Sequence, residues 1–489
     1  MSDQPTRQAR HTHPSIPPEA WLPARRFAET LRRPIERFLH VEAAGGIILL
    51  AAAAVALVWA NSPWHASYEA LWHTNITLGL GRWAFTRDLH FWINDGLMTV
   101  FFLVVGLEIK REIVQGALAD LRRATLPVAG AVGGMLVPAL IYLSINVGGP
   151  GESAWGVPMA TDIAFAVGVL MLLGNRVAPA MRILLLAIAI IDDIGAILII
   201  ALFYSSGFNA VGVVVVGAGL GLLLALRRLG TRPGWVSVVP LGVIWIGMYL
   251  MGVHPTIAGV IVGLAAPVRS WVGSEGFMEL AHEALDNFQD RAARGASDHD
   301  LLAPLEQMAF ARREAISPAL RIENALHPWV AYGIMPLFAL ANAGVHLGGL
   351  SFGGEGAAAV MLGVGLGLAV GKPLGVLLAS WLAVRLGLCV LPTGVRWGSV
   401  FVIGAVAGIG FTMAIFIAEL AFVDPTLLAI AKLAVLGATA LAASIGLGAG
   451  VFLLGGADSR DAVSDSDFEA SSDYWTSGEL PRIRKTLAD

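Results

Sequence analysis

Asp192 and Asp193 stand side by side inside an apolar run, with Ile183–Ile191 before them and Ile194–Phe203 after. Asp192 lies ten residues beyond Arg182. At 1.5 Å per helical residue that is about 15 Å, half of a ~30 Å hydrocarbon core. A charge at that depth costs ~3 kcal/mol or more on insertion scales, so paired acids there mark a functional site by default. Adjacent helical residues point about 100° apart. One acid therefore faces an ion pathway and the other a partner such as Lys372, and the sequence leaves open which.

Asp162, in Pro158-Met-Ala-Thr-Asp162, and Lys372, in Val370-Gly-Lys-Pro-Leu-Gly375, also lie well inside apolar stretches. A third stretch holds the uncharged Gly408-Ile-Gly-Phe-Thr-Met413 at its centre. Pro158, Gly408 and Gly410 are places where a helix can unwind. A break leaves helix ends facing each other, positive at N-termini and negative at C-termini, which an acid such as Asp162 and an ammonium such as Lys372 can balance. Carboxylates with freed carbonyls make a hard-oxygen site suited to a small cation. Burial favours the neutral carboxylic acid. Proton and cation then compete for one group, which is the minimal chemistry of an exchanger.

These residues need membrane-spanning helices to hold them. The 489 residues are 56% hydrophobic and 14% charged, with mean hydropathy +0.72, where soluble domains carry about a quarter charged residues. This is the composition of a polytopic membrane protein. Apolar stretches fall at 41–61, 89–110, 125–147, 155–175, 182–204, 209–226, 235–251, 255–268, 328–345, 357–384, 397–421 and 427–455. Lys and Arg cluster in alternate connections, from Arg32, Arg33 and Arg37 onward, as the positive-inside rule requires of twelve spans with both termini cytoplasmic. Arg82 and Arg87 stand out on the sparse side. The reading is an all-α fold of about twelve spans over 39–456, with a cytoplasmic leader over 1–38 that has no apolar signal core and a disordered cytoplasmic tail over 457–489. The long hydrophilic connection at 269–326 has helical periodicity. The lone Cys389 excludes an intramolecular disulfide framework and a thiolate cluster.

Each residue also has a plainer reading. Asp162 can serve only to balance a helix end, and Lys372 only to pair with an acid. Glu108 and Glu112, four apart with Lys110 and Arg111 between, fit a solvated helix end. His254 sits at a membrane edge and either tunes a pH response or is merely interfacial. Lys432 reads as snorkelling. The glycines before Lys372 are not a P-loop, because Pro373 stands where Ser or Thr is required. Two other function classes stay open at this point, an intramembrane aspartyl hydrolase and a gated cation channel. The first needs facing acids on separate helices.

The motifs resemble those of the NhaA-type sodium/proton antiporters over roughly residues 40–455. They are Asn94-Asp-Gly-Leu-Met98, Val105-Gly-Leu-Glu-Ile-Lys-Arg-Glu112, Ala160-Thr-Asp-Ile-Ala-Phe165, Ala189-Ile-Ile-Asp-Asp-Ile-Gly-Ala196, Gly252-Val-His-Pro-Thr-Ile-Ala-Gly259, Leu326-His-Pro-Trp-Val330, Gly371-Lys-Pro-Leu-Gly375 and Gly408-Ile-Gly-Phe-Thr-Met413. The resemblance implies inverted repeats, broken and crossing fourth and eleventh spans, and electrogenic exchange of Na⁺ or Li⁺ for protons across a bacterial inner membrane. It implies that Asp192 and Asp193 are the cation and proton site, with Asp193 the more direct ligand and Thr161 lining it. Asp162 and Lys372 would compensate the crossing broken fourth and eleventh helices, the latter broken at Gly408 and Gly410. Glu108, Lys110, Arg111, Glu112 and Glu323 would form a cytoplasmic pH-sensing funnel. It further implies a homodimer in the lipid bilayer, with no cofactor, no nucleic-acid partner and no enzymatic activity. The chain departs from the family pattern at Arg269–Pro318, at Pro255 after His254, and at Asn324 before His327-Pro328-Trp329.

Overall fold

In the computed structural model, residues 44–454 are described apart from 81, 82, 117, 206, 208, 231–233 and 350–353. The expected leader at 1–38 and tail at 457–489 lie outside the described residues. Every one of the apolar stretches holds helix. Helix α1 (Ala44–Ala60) turns by 117° into α2 (His65–Trp72). A π turn at Trp92–Leu97 leads into α3 (Met98–Gln115), and α4 (Leu121–Asn146) follows. After α5 (Ile163–Met171) come α6 (Pro179–Phe203), α7 (Ala210–Arg228), α8 (Val238–Met251) and α9 (Ile257–Leu264). The hydrophilic connection contains α10 (Gly273–Ala293), α11 (Asp298–Glu314) and most of α12 (Pro318–Trp329), and α13 (Met335–Asn342) follows it. The chain closes with α14 (Ala357–Leu366), α15 (Lys372–Arg385), α16 (Trp397–Ala407), α17 (Phe411–Ala421) and α18 (Pro425–Leu453).

This is an all-α, multi-pass membrane architecture. By length and hydropathy alone, five helical segments qualify as spans, or eight if three bent pairs each count once. One feature was not legible as helix. An antiparallel hairpin, β1 (Asn75–Leu80) and β2 (Trp83–Asp88), pairs Asn75 with Asp88 through Leu80 with Trp83. It accounts for Arg87, whose guanidinium lies 5.5–5.6 Å from the rings of Phe85, Phe91 and Tyr249 and donates to the Tyr249 hydroxyl. Cation–π contact holds that charge in an aromatic cage.

The core is built around α16 and α17, nearly all of whose side chains are buried. Phe416 of α17 meets Phe102 at 5.4 Å and Phe338 at 6.1 Å between ring centroids. Small residues bring backbones close where helices cross. At the α4–α15 crossing, a β-carbon on Gly133 would stand 2.2 Å from the Gly375 carbonyl, and one on Gly375 2.1 Å from that of Gly133. This crossing sets the position of Lys372 at the start of α15.

Candidate functional site

Asp162 ends a stretch of extended backbone (φ −92°, ψ 100°) between a single 3₁₀ turn at Val157–Met159 and α5, and the two helical pieces differ in direction by 40°. Pro158 opens the short turn, where its missing N–H costs nothing. The second break, at Gly408–Gly410, bends α16 against α17 by 48°. The two breaks touch, with the Asp162 amide donating to the Ile409 carbonyl at 2.7 Å. Glycine is required there by proximity. A β-carbon on Gly408 would lie 2.4 Å from the Leu368 carbonyl, and one on Gly410 2.9 Å from that of Ala160.

The Asp162 carboxylate joins both breaks. Its Oδ1 accepts from the Phe165 amide at 3.0 Å, capping α5, and its Oδ2 accepts from the Thr412 amide at 3.2 Å and hydroxyl at 2.5 Å. One carboxylate thus satisfies the N-terminal donors of two helices, where negative charge is favoured. Lys372 answers the other polarity. It follows a π turn at Gly367–Gly371, placed where Pro373 cannot donate to the preceding turn. Its ammonium is fully buried, donates to the Met159 carbonyl freed by the first break, and lies 2.8 Å from Asp192 Oδ2.

Asp192 and Asp193 are both buried on α6 but differ sharply in surroundings. Asp192 Oδ2 receives Lys372 and also lies 2.8 Å from the Thr161 hydroxyl, which sits 3.0 Å from the Ala407 carbonyl at the end of α16. Asp192 Oδ1 is buried without a hydrogen-bond partner. Asp193 has neither hydrogen-bond nor ion-pair partner among the described residues. The question left open by the sequence is answered for the partner of Lys372, which is Asp192. The arrangement gathers the unpartnered Asp192 Oδ1, the Thr161 hydroxyl and break carbonyls near Lys372, with the Asp193 carboxyl next along α6, an oxygen-rich setting for a small hard cation.

The residues expected to sense pH do not form one cluster. Arg111 reaches Glu323 of α12 at 2.5 Å and Glu112 at 3.8 Å. Burial pushes the Glu323 carboxyl above the ordinary carboxylate range, against the opposing pull of the Arg111 guanidinium. Glu108 lies half-buried one turn earlier on α3, and half-buried Lys110 joins no ion pair among the described residues. His254 is elsewhere. Its Nε2 lies 3.2 Å from Asp95 Oδ1 and its Nδ1 2.7 Å from the Thr256 hydroxyl, with the Phe416 ring edge-on at 5.2 Å. Asp95 precedes Arg111 by sixteen residues, on the order of 20 Å along the helix, so His254 stands at the opposite end of α3 from the arginine cluster.

Several partners were not singled out from sequence. Thr412 was visible only as a letter within a glycine motif, and Asp95 only beside Asn94. Lys432 does not snorkel: its ammonium turns inward and pairs with Glu419 of α17. A half-buried acid one helix away was a stronger attraction than the interface, and nothing in the local sequence announced it. His90, Asn94 and Asn342 complete a polar network beside that pair, with the His90 Nε2 3.0 Å from Asn342 Oδ1 and 3.9 Å from Glu419.

Residues 36–449 match the family profile described as Na+/H+ antiporter 1. The chain is 58% identical over 94% of its length, and 98% of the other's, to the Na(+)/H(+) antiporter NhaA 2 of Sorangium cellulosum. It is 53% identical to the protein of that name from Myxococcus xanthus, over 90% of this chain and 93% of that one. It is 51% identical to the Na(+)/H(+) antiporter NhaA of a Janthinobacterium species, over 90% and 97%. The sodium proton antiporter MjNhaP1 of Methanocaldococcus jannaschii aligns over 84% of this chain and 92% of its own, at 14% identity and a TM-score of 0.41, a likeness on which nothing further rests. On the profile match and these relatives, the chain belongs to the Na+/H+ antiporter 1 family.

Proposed function

We propose that the protein is a secondary transporter, not an enzyme, that exchanges Na⁺ or Li⁺ for protons electrogenically and under pH control, serving sodium and pH homeostasis. The observation that carries this reading is the unpartnered, buried Asp193 beside an Asp192 tied on one oxygen to Lys372 and Thr161. Family membership and the antiporter names of the relatives support it. A buried carboxylate without a cationic partner stays neutral or takes up a cation, so a proton and a sodium ion exclude each other there. Asp193 is the first ligand in this reading. Asp192 joins it as the cation draws its Oδ2 away from Lys372, with Thr161 contributing its hydroxyl. Asp162 and Lys372 keep the crossed breaks in register, which holds the backbone oxygens of both breaks beside the path.

The same proposal has twelve spans in inverted repeats, both termini cytoplasmic, a homodimer and a bacterial inner membrane. Arg111, Glu112, Glu323, Glu108 and Lys110 then line the cytoplasmic mouth, and His254 with Asp95 the opposite one. The hydrolase and channel readings have no support. Asp192 and Asp193 are neighbours on one helix rather than facing acids on two, and both oxygens of Asp162 are held by helix amides.

The experiment is Na⁺-induced dequenching of a pH dye in everted vesicles with wild type and Asp193→Asn. Wild type dequenches and the variant, inserted at equal amount, does not. Retained exchange in the variant sinks the assignment of Asp193.

A further inference from the structure

The segment between α9 and α12 presents more apolar and basic surface than a solvated connection needs. Trp271, Met278 and Leu285 recur every seven residues leading into and along α10, and are 61%, 54% and 43% exposed. Leu302, Leu305 and Ile316, at helical spacing along and just past α11, are similarly open. Where α11 meets α12 there is a groove of about 660 Å³ lined by Glu306, Phe310, Arg312, Arg313, Ile316 and Arg321. Three guanidiniums and one carboxylate face it. Behind it the buried Glu314 takes Arg313 at 3.0 Å and Arg321 at 3.5 Å. Arg312 is exposed and has no ion-pair partner among the described residues.

The groove sits at the level where the apolar helices end. The Ala319 amide donates to the Pro267 carbonyl at 3.1 Å, and the Val272 amide to the Glu314 carbonyl at 3.2 Å. At the same level Gln115, the last residue of α3, donates to the Val268 carbonyl at 2.9 Å. Trp271 lies beside it, edge-on to Phe310 at 5.5 Å. Exposed tryptophan with adjacent arginine is the composition of a membrane–water interface.

We propose that this groove binds the phosphate headgroup of an anionic phospholipid, with the acyl chains leaving over Ile316 and Trp271. A guanidinium offers parallel N–H donors that match phosphate oxygens, and Arg312 presents one that is uncommitted within the described chain. Basic side chains at a bilayer surface each strengthen attachment to anionic lipid. Glu306, on the rim, opposes the phosphate and limits its affinity.

The test is a native mass-spectrometric titration of the full-length protein in detergent with phosphatidylglycerol, phosphatidylcholine and inorganic phosphate. It reads binding regardless of which way the groove faces, so its failure is distinct from failure of the antiport reading. Phosphatidylglycerol affinity should fall about fivefold in Arg312→Gln, further in Arg312→Gln/Arg321→Gln, and rise in Glu306→Gln. Phosphatidylcholine should bind all forms alike. Arg321 also holds Glu314, so Arg312→Gln decides the matter if the double variant does not fold. Equal phosphatidylglycerol affinity in wild type and Arg312→Gln overturns the site. Competition by inorganic phosphate at lipid-like concentration overturns the lipid as its occupant.

Discussion

Two of the buried carboxylate centres among the described residues have opposite charge balance. At the crossing of the breaks, Asp162, Asp192 and Asp193 share one ammonium, Lys372. At the foot of the α10–α11 hairpin, one carboxylate, Glu314, takes two guanidiniums, Arg313 and Arg321. The first centre is short of positive charge and leaves carboxylate oxygens open. The second is saturated. A saturated pair fastens elements together, whereas a carboxylate in the apolar interior without a cationic partner is costly to keep charged.

The largest expected effect tests that deficit. Lys372→Ala leaves Asp192 as an uncompensated buried charge and should lower stability by about 3–5 kcal/mol, seen as a fall in melting temperature of the detergent-solubilised protein. Adding Asp192→Asn should return most of it, because the stranded charge is then gone. No recovery in the double variant would break the pairing.

A smaller effect sharpens the role of Asp162. Thr412→Val removes the hydroxyl at 2.5 Å from Oδ2 but keeps the amide bond. It should cost about 1–3 kcal/mol in the same melting measurement, with Na⁺ affinity changed less than exchange rate. An unchanged melting temperature would mean that the Thr412 hydroxyl adds nothing to the join between the two breaks.

The saturated centre should be tolerant. In Arg321→Gln, Glu314 keeps Arg313 at 3.0 Å, so the loss should be about 1 kcal/mol. A loss as large as that of Lys372→Ala would erase the contrast between the centres.

The smallest effect lies at the hairpin turn. The Ser297 hydroxyl and amide hold the Asp300 carboxyl below the ordinary carboxylate range. A depressed folded value means a contribution present above the unfolded value of about 4 and lost as pH falls through the folded one. Amide protection factors at Ser297–Leu301, taken relative to the unstructured exchange rate at each pH, should therefore fall in acid in wild type and stay flat in Asp300→Asn. Equal acid sensitivity in both would discard the cap.

Much of the molecule could be read directly. An apolar stretch has to become helix in a bilayer, since every backbone amide needs an internal partner there, so the helices fall where hydropathy placed them. Asp192, Asp193, Asp162 and Lys372 announced themselves for the same reason, as charges where charge is costly. The β-hairpin was hidden because it lies outside the apolar stretches, and Arg87 only makes sense once its aromatic cage is assembled. Lys432 was misread because snorkelling depends on local depth alone, while its partner Glu419 arrives on another helix.

The sequence by itself determined that the chain crosses a membrane, that it buries acids and a lysine, and where helices could break. Only the tertiary structure decided that Lys372 pairs with Asp192 and leaves Asp193 open, that Asp162 caps two helices at once, and that His254 is separated from Arg111. The physical reason is range. Burial energy depends on each residue's own chemistry and depth, but a hydrogen bond or ion pair depends on which of many distant groups packing brings within 3 Å or so.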